Sequence, residues 1–349
     1  MIGNKKYYFF FDSNGQAITN ELQTIPLGDR TAYMLFNEDG KAYTEGYREL
    51  ISDSSTDYYY FLGNGQAFTT GYKTVKISGV TYYFYFEDTG KAFTGGLKDV
   101  AFGTLSYRYF FQKNGRATVS AWETIDDAKY YFQATGRAYT SSFATITQKI
   151  YYFDNNSKAA VDGWFCVGDG YYYANQNGEL ATNTVVEGYK LNASGKSATK
   201  YRIKKYAEEH TDPSMSAQEK IDALYNWVLK NSMVYYRTYE HVKADWVWKD
   251  SWVDDMAASQ MDKWGGNCYR YASFLGMMIH EATGLPVIVY HGNTPNGSPH
   301  GWPAVCQDGV WYVYDVELQK HSGFSAATCY KVPCETSKTH LNGEGTELY

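Results

Sequence analysis

The chain has 349 residues and no uninterrupted apolar run of the ~18 residues a membrane-crossing helix needs. The nearest approach, Tyr271 to Tyr290, is broken by His280-Glu281. No membrane span is expected. A basic surplus is also missing: 32 Lys and Arg against 38 Asp and Glu leave a net charge of −6. That argues against nucleic acid as a partner, because phosphates select a basic face. No secretory leader opens the chain, since Met1-Ile2-Gly3-Asn4-Lys5-Lys6 runs straight into Tyr7-Tyr8-Phe9 without an apolar core or a small-residue cleavage site. The expectation is a cytosolic protein, or one that begins after a removed segment. Five Cys are too few for a disulfide framework and leave at least one thiol unpaired. There is no His-Glu-x-x-His, no Cys-x-x-Cys and no calcium loop, so no metal and no cofactor is expected.

Scarcity also divides the chain. Residues 1–200 contain no His, one Pro (Pro26) and one Cys (Cys166), but 23 of the 36 Tyr. The remainder holds all seven His, six Pro, four Cys and seven of the nine Trp. Two domains are expected, 1–199 and 200–349, joined near the small, polar run Asn192-Ala193-Ser194-Gly195-Lys196-Ser197.

The first half repeats. Gly15-Gln16-Ala17 recurs as Gly40-Lys41-Ala42, Gly65-Gln66-Ala67, Gly90-Lys91-Ala92 and Gly115-Arg116-Ala117 at a spacing of 25 residues. The spacing then shortens to 21, at Gly136, Ser157 and Gly178. Phe stands four residues before most of these turns (Phe11, Phe36, Phe61, Phe86, Phe111, Phe132, Phe153). Pairs such as Asn14-Gly15 and Asp39-Gly40 suit a type I′ turn, so each unit reads as a hairpin: an aromatic strand in, a short Ala/Thr strand out. Aromatics alternate between two faces, and one hairpin cannot bury both. Stacked hairpins can, which predicts an all-β solenoid.

This half resembles the cell-wall-binding repeats of Gram-positive surface proteins: choline-binding modules, glucan-binding repeats and clostridial toxin repeats. The resemblance implies aromatic pockets for choline or sugars, with a cation held over ring faces. The choline-binding version has a Gly-Trp seven residues past the turn. That column here reads Leu22, Tyr47, Tyr72, Leu97, Trp122, Phe143, Trp164, Val185, and only Gly163-Trp164 matches fully. The expected ligand is therefore a cell-wall polysaccharide or other glycan, with Tyr47, Tyr72, Trp122, Phe143 and Trp164 as candidate carbohydrate-binding residues. Core packing is the alternative role for any one of them.

In the second half, Ser216-Ala217-Gln218-Glu219 is a capping box, followed by an apolar stripe of Ile221, Leu224, Tyr225 and Val228. A second helix starts at Cys268, after Gly265-Gly266-Asn267, with Ala272, Leu275, Ile279 and Ala282 on one face; Gly284 and Pro286 end it. A thiol in the first helical turn meets the positive end of the backbone dipole, which favours the nucleophilic thiolate. The preceding glycines are expected to let a substrate carbonyl approach. Further on, Asp308-Gly309 is a two-residue turn signal. Pairing Gln307 with Val310 sets Trp302 opposite Asp315 and makes His300 and Asp315 diagonal neighbours. Continued pairing would set Glu317 opposite His300, a rival for the same role. Pro303 suggests an edge or a bulge. The pairing supplies the base and the orienting carboxylate that a Cys nucleophile requires.

Three stretches, Gly266-Asn267-Cys268-Tyr269-Arg270-Tyr271-Ala272, His300-Gly301-Trp302 and Asp308 to Asp315, resemble the transglutaminase-like branch of the papain-like cysteine enzymes. The resemblance implies an α+β papain-like domain, with Cys268 as nucleophile, His300 as general base and then acid, and Asp315 as orienter. The family's second oxyanion donor has no clear counterpart: Trp264 is a candidate, with Trp248 and Trp252 its equals. Together the halves suggest a secreted, wall-associated cysteine enzyme that acts on a peptide or protein amide through a thioester. Hydrolysis by a peptidase or amidase is favoured, a crosslinking transglutaminase is the alternative, and a non-catalytic adhesin is a third reading. Cys329 and Cys334, five apart, could close a small disulfide loop.

Overall fold

The computed structural model describes residues 6–52, 55–237 and 247–348. Eight two-stranded antiparallel hairpins run from Leu22–Leu27 with Arg30–Leu35 to Thr184–Val186 with Tyr189–Leu191. In each, the aromatic strand pairs with the strand before it, as in Tyr47↔Tyr60, Trp122↔Tyr131 and Trp164↔Tyr173. This corrects the expected hairpin, in which the aromatic strand paired with the Ala strand after it. The Asn-Gly bend closes only a single bridge, such as Phe61↔Ala67 or Phe111↔Ala117.

The reason is local hydrogen bonding. Asp12 Oδ1 accepts the N–H groups of Asn14 and Gln16 at 2.9 and 2.8 Å, and Asp154 and Asn175 do the same in their repeats. A side chain that satisfies two backbone donors competes with a ladder. Of the pair Asn14-Gly15, only Gly15 has positive φ, so no type I′ turn forms there. That turn falls instead at pairs such as Asp126-Asp127 and Thr147-Gln148, where both residues have positive φ.

The small Ala after each bend has a stacking role. Its N–H reaches the preceding aromatic strand, as in Ala92 N–H to Tyr58 O and Ala117 N–H to Tyr83 O, both 2.8 Å. A Cβ on Gly115 would stand 3.1 Å from the Ala92 Cβ, so the column stays narrow. Phe61, Phe86, Phe111 and Phe132 are fully buried between neighbouring hairpins, each contributing roughly 1.5–3 kcal/mol of transfer free energy.

Compactness divides the chain at a different place from composition. One unit comprises Met1–Ala144 with Tyr152–Ala159, the other Thr145–Tyr151 with Ala160–Tyr349. The last two hairpins therefore belong with the C-terminal half. There Asp254 accepts the Lys190 N–H and the Thr199 hydroxyl. Lys200 pairs with Glu281 inside the fold, both side chains 6% exposed.

The C-terminal half is α+β. Its sheet is antiparallel, ordered Tyr330–Pro333, Val310–Tyr314, Pro299–Gln307, Val287–Asn293, Leu341–Leu348. Helices α1 (Ala198–His210), α2 (Ala217–Lys230), α3 (Trp252–Lys263) and α4 (Cys268–Thr283) surround one core. The Ser216–Glu219 capping box forms, and Ile221, Leu224, Tyr225 and Val228 are buried. Helix α4 is buried on all sides from Cys268 to His280, not along one stripe. It packs against α1, α2, α3 and the sheet strands Val287–Asn293 and Pro299–Gln307, the position a helix apolar all round takes. Among the described residues, no helix is long and apolar enough to cross a membrane.

Candidate active site

Asn267 caps α4 by accepting the Arg270 N–H at 3.3 Å, so Cys268 is the first helical residue. The glycines before it serve packing and not substrate entry. Gly265 lies against the Val234 backbone and Gly266 against the Arg270 side chain, with no room for a Cβ at either. This lets Val234–Tyr235 pair in parallel with Gly265–Gly266, which holds Tyr235 beside the first turn of α4.

His300 lies on the strand Pro299–Gln307. The next residue must be Gly301, because a Cβ there would stand 2.5 Å from the Tyr269 ring. This close approach brings the strand against the first turn of α4. The hairpin register is the one read from Asp308-Gly309, with Gln307↔Val310 and Ala304↔Val313. The ladder stops there. Pro303 lies beyond it and pairs on one side only, with Val289. The partner strand ends at Tyr314, and Asp315 caps the short helix α5 (Val316–His321) through the Leu318 N–H at 3.1 Å.

Asp315 and His300 meet: His300 Nε2 donates to Asp315 Oδ2 at 2.5 Å. A second histidine donates to the same oxygen, His340 Nε2 at 2.9 Å. The other nitrogen of His340 faces the Ser337 and Thr339 hydroxyls at 2.8 and 2.9 Å. Tyr225 donates to the Asp315 carbonyl oxygen at 3.2 Å. Burial would raise the Asp315 carboxyl, but His300 and His340 outweigh it and hold it well below the usual range. Burial would likewise depress His300, but the Asp315 charge and hydrogen bond, with the Cys268 sulfur, raise it well above its ordinary value. Glu317 does not extend the ladder. It sits on α5, 4.0 Å from His300 Nδ1. Its carboxyl is pushed up to about 7 by burial and then by the Asp315 charge, against the opposing influence of His300.

Of these groups, Cys268, His300 and Glu317 line a cleft of ≈ 410 Å³, together with Tyr235. Trp264 does not line it. Its indole N–H goes to Ser232 at 3.1 Å and its ring packs with Tyr206 and Trp227. Trp252 donates to Thr346, and Trp248 stacks on His291 at 4.2 Å. His280 bonds the Leu285 carbonyl and His321 the Tyr271 hydroxyl. Cys329 and Cys334 are free thiols. His340 and Tyr235 were not foreseen. His340 sits in an irregular stretch before the last strand, outside any motif, and Tyr235 is placed by a two-residue strand too short to carry a periodic signal.

The aromatic columns fall into two kinds. In the 25-residue repeats the chain's own cations lie over the rings: Lys73 over Tyr60 and Phe68 (4.3 and 4.7 Å), Lys98 over Tyr85 and Phe93 (4.5 and 4.4 Å). Tyr47 stacks with Tyr58 and Tyr72 with Tyr83. In the 21-residue repeats, Trp122, Tyr131, Tyr139 and Phe153 form a ring of contacts with centroids 5.2–6.0 Å apart. Phe143 packs on Tyr152. Trp164 is committed elsewhere: it donates to Glu187 at 2.7 Å and lies under Lys200 at 4.6 Å.

Residues 119–165 match a family described as a choline-binding repeat, and residues 162–180 one described as a putative cell wall binding repeat. No curated protein matches the chain. Among solved structures it is similar to the modular autolysin LytC of Streptococcus pneumoniae, with 19% identity over 56% of this chain and 42% of that one and a TM-score of 0.44. It is also similar to the choline-binding domain of CbpL from the same organism, with 20% identity over 56% and 94% of the two chains and a TM-score of 0.40. The alignment thus spans 42% of the length of LytC. Residues 119–180 carry repeats that match cell-wall-binding families, one of them described as choline-binding.

Proposed function

We propose that the protein is a secreted, wall-attached cysteine enzyme that cleaves or transfers an amide-linked acyl group through a thioester on Cys268. One observation carries the reading. The His300 ring is clamped to Asp315 at one nitrogen, the Cys268 sulfur helps raise its pKa, and Cys268 and His300 line one open cleft with Asp315 buried behind them. In this transglutaminase-like reading, His300 moves the thiol proton and then returns it to the leaving amine. Asp315 holds the ring's orientation and stabilises its protonated form. Positive dipole at the start of α4 supports the developing sulfur and oxyanion charges.

Attachment supplies local concentration. Segment 119–180 binds the wall polymer, with the Trp122–Tyr131–Tyr139–Phe153 cluster as its aromatic platform. Water as acceptor gives a peptidase or amidase, and hydrolysis of wall peptides or surface proteins is the favoured outcome. The test is incubation of wall fragments with and without an amine donor, with products read by mass spectrometry. Products that vanish in Cys268→Ala support the reading. Identical product lists from both proteins refute it.

A further inference from the structure

Glu317 is buried without a hydrogen-bonding partner among the described residues. Its side chain is 6% exposed and lies 4.0 Å from His300 Nδ1. A buried carboxyl left unbonded costs free energy, and the sequence does not relieve that cost. Yet it is not walled off, for it lines the cleft with Cys268 and His300. Among the described lining residues Glu317 is the only carboxyl, and no Lys or Arg accompanies it. The remaining lining is neutral, including Tyr235, Thr294, Asn296, Ser298 and Phe324. An entering cation meets one acidic group there, next to the reacting sulfur and imidazole.

We infer that Glu317 is a specificity-determining residue that binds the ammonium form of a primary amine acceptor and takes its first proton beside the Cys268 thioester. The inference rests on the thioester reading and adds primary amines beside water as acceptors of the acyl group. The step balances as follows. The ammonium gives one proton to the Glu317 carboxylate and becomes a neutral amine. Its nitrogen lone pair forms a bond to the acyl carbon while its second proton passes to His300. The carbon–sulfur bond breaks with its electrons on sulfur, His300 returns a proton to sulfur, and Glu317 releases its proton to solvent. The products are an amide, a free thiol and one proton. A carboxyl pushed up to about 7 by burial exchanges a proton near neutrality more readily than an ordinary one.

The full chain is acetylated with p-nitrophenyl acetate, and the p-nitrophenolate burst and the Cys268 adduct are read by intact mass. The adduct is then chased at pH 7 with methylamine, which is cationic, or hydroxylamine, which is neutral. The same two chases on S-acetyl-N-acetylcysteine give the intrinsic ratio of rates. The wild-type methylamine-to-hydroxylamine ratio should exceed the intrinsic one by about tenfold or more, as one charge-assisted contact allows. In Glu317→Gln that excess should disappear, the ratio of the two chases being read on whatever adduct forms. A wild-type ratio equal to the intrinsic ratio overturns the inference without any variant, and so does an unchanged ratio in Glu317→Gln. A burst absent from wild type, or unchanged in Cys268→Ala, overturns the thioester reading itself.

Discussion

Asp315 and Glu317 stand two residues apart, yet their carboxyls are driven in opposite directions. Asp315 accepts three N–H groups, from Leu318, His300 and His340, and stays ionised. Glu317 accepts none of these and is raised to about 7. A raised carboxyl binds its proton more tightly in the fold than in the unfolded chain, where its pKa is about 4.3. Its contribution to stability is therefore fully present below that value and lost as pH rises toward 7. Glu317→Gln should remove this slope. The variant should gain on wild type between pH 5 and pH 8 by up to about 3 kcal/mol, measured by guanidinium unfolding at each pH; a constant difference would contradict the assignment. At this scale Cys268, His300 and Asp315 were legible because a helix cap and a two-residue turn fix where they fall. His340 was not, because no register rule joins it to Asp315. Glu317 was displaced because a ladder extrapolated past Tyr314 gives way to α5, whose cap needs the Asp315 side chain.

At the scale of elements, the repeat period and its buried aromatics could be read directly, but strand pairing could not. The conspicuous Asn-Gly pairs draw attention from the true hairpin turns, which vary in sequence (Ser78-Gly79, Asp126-Asp127, Thr147-Gln148) and share only positive φ. Where an Asx residue stands three before the bend (Asp12, Asn37, Asp154, Asn175, Asn192), its side chain caps the turn. The lysines over the rings of the longer repeats have a functional consequence. A trimethylammonium group and an ammonium compete for the same ring faces, so the cages at Lys73 and Lys98 are already filled from within. Lys73→Ala with Lys98→Ala should raise the number of choline molecules bound in calorimetric titration, while Trp122→Ala should lower it. Unchanged stoichiometry in the lysine variant would show that these rings are packing alone.

For the whole molecule, composition changes near residue 200 but compactness changes near 160. Composition follows what each residue type is for, whereas compactness follows which surfaces bury one another. Tyr189 is fully buried in the C-terminal core, Trp164 packs against that core, and Lys200 lies over both rings while paired with Glu281. Truncating one member of a buried pair strands the other. Lys200→Ala should therefore destabilise this unit by about 3–5 kcal/mol in guanidinium unfolding, while Lys200→Met with Glu281→Leu should restore most of the loss. Equal losses in both variants would mean the side-chain stems, and not the charges, hold the junction.

The final two hairpins thus have a second employment as scaffolding. A gene fragment cut at the compositional seam would strip the C-terminal half of part of its own interior and leave an apolar wound. The smallest piece fit to be transplanted begins near Ala160, and an exchange of the repeats before it should leave those two hairpins behind with the C-terminal half.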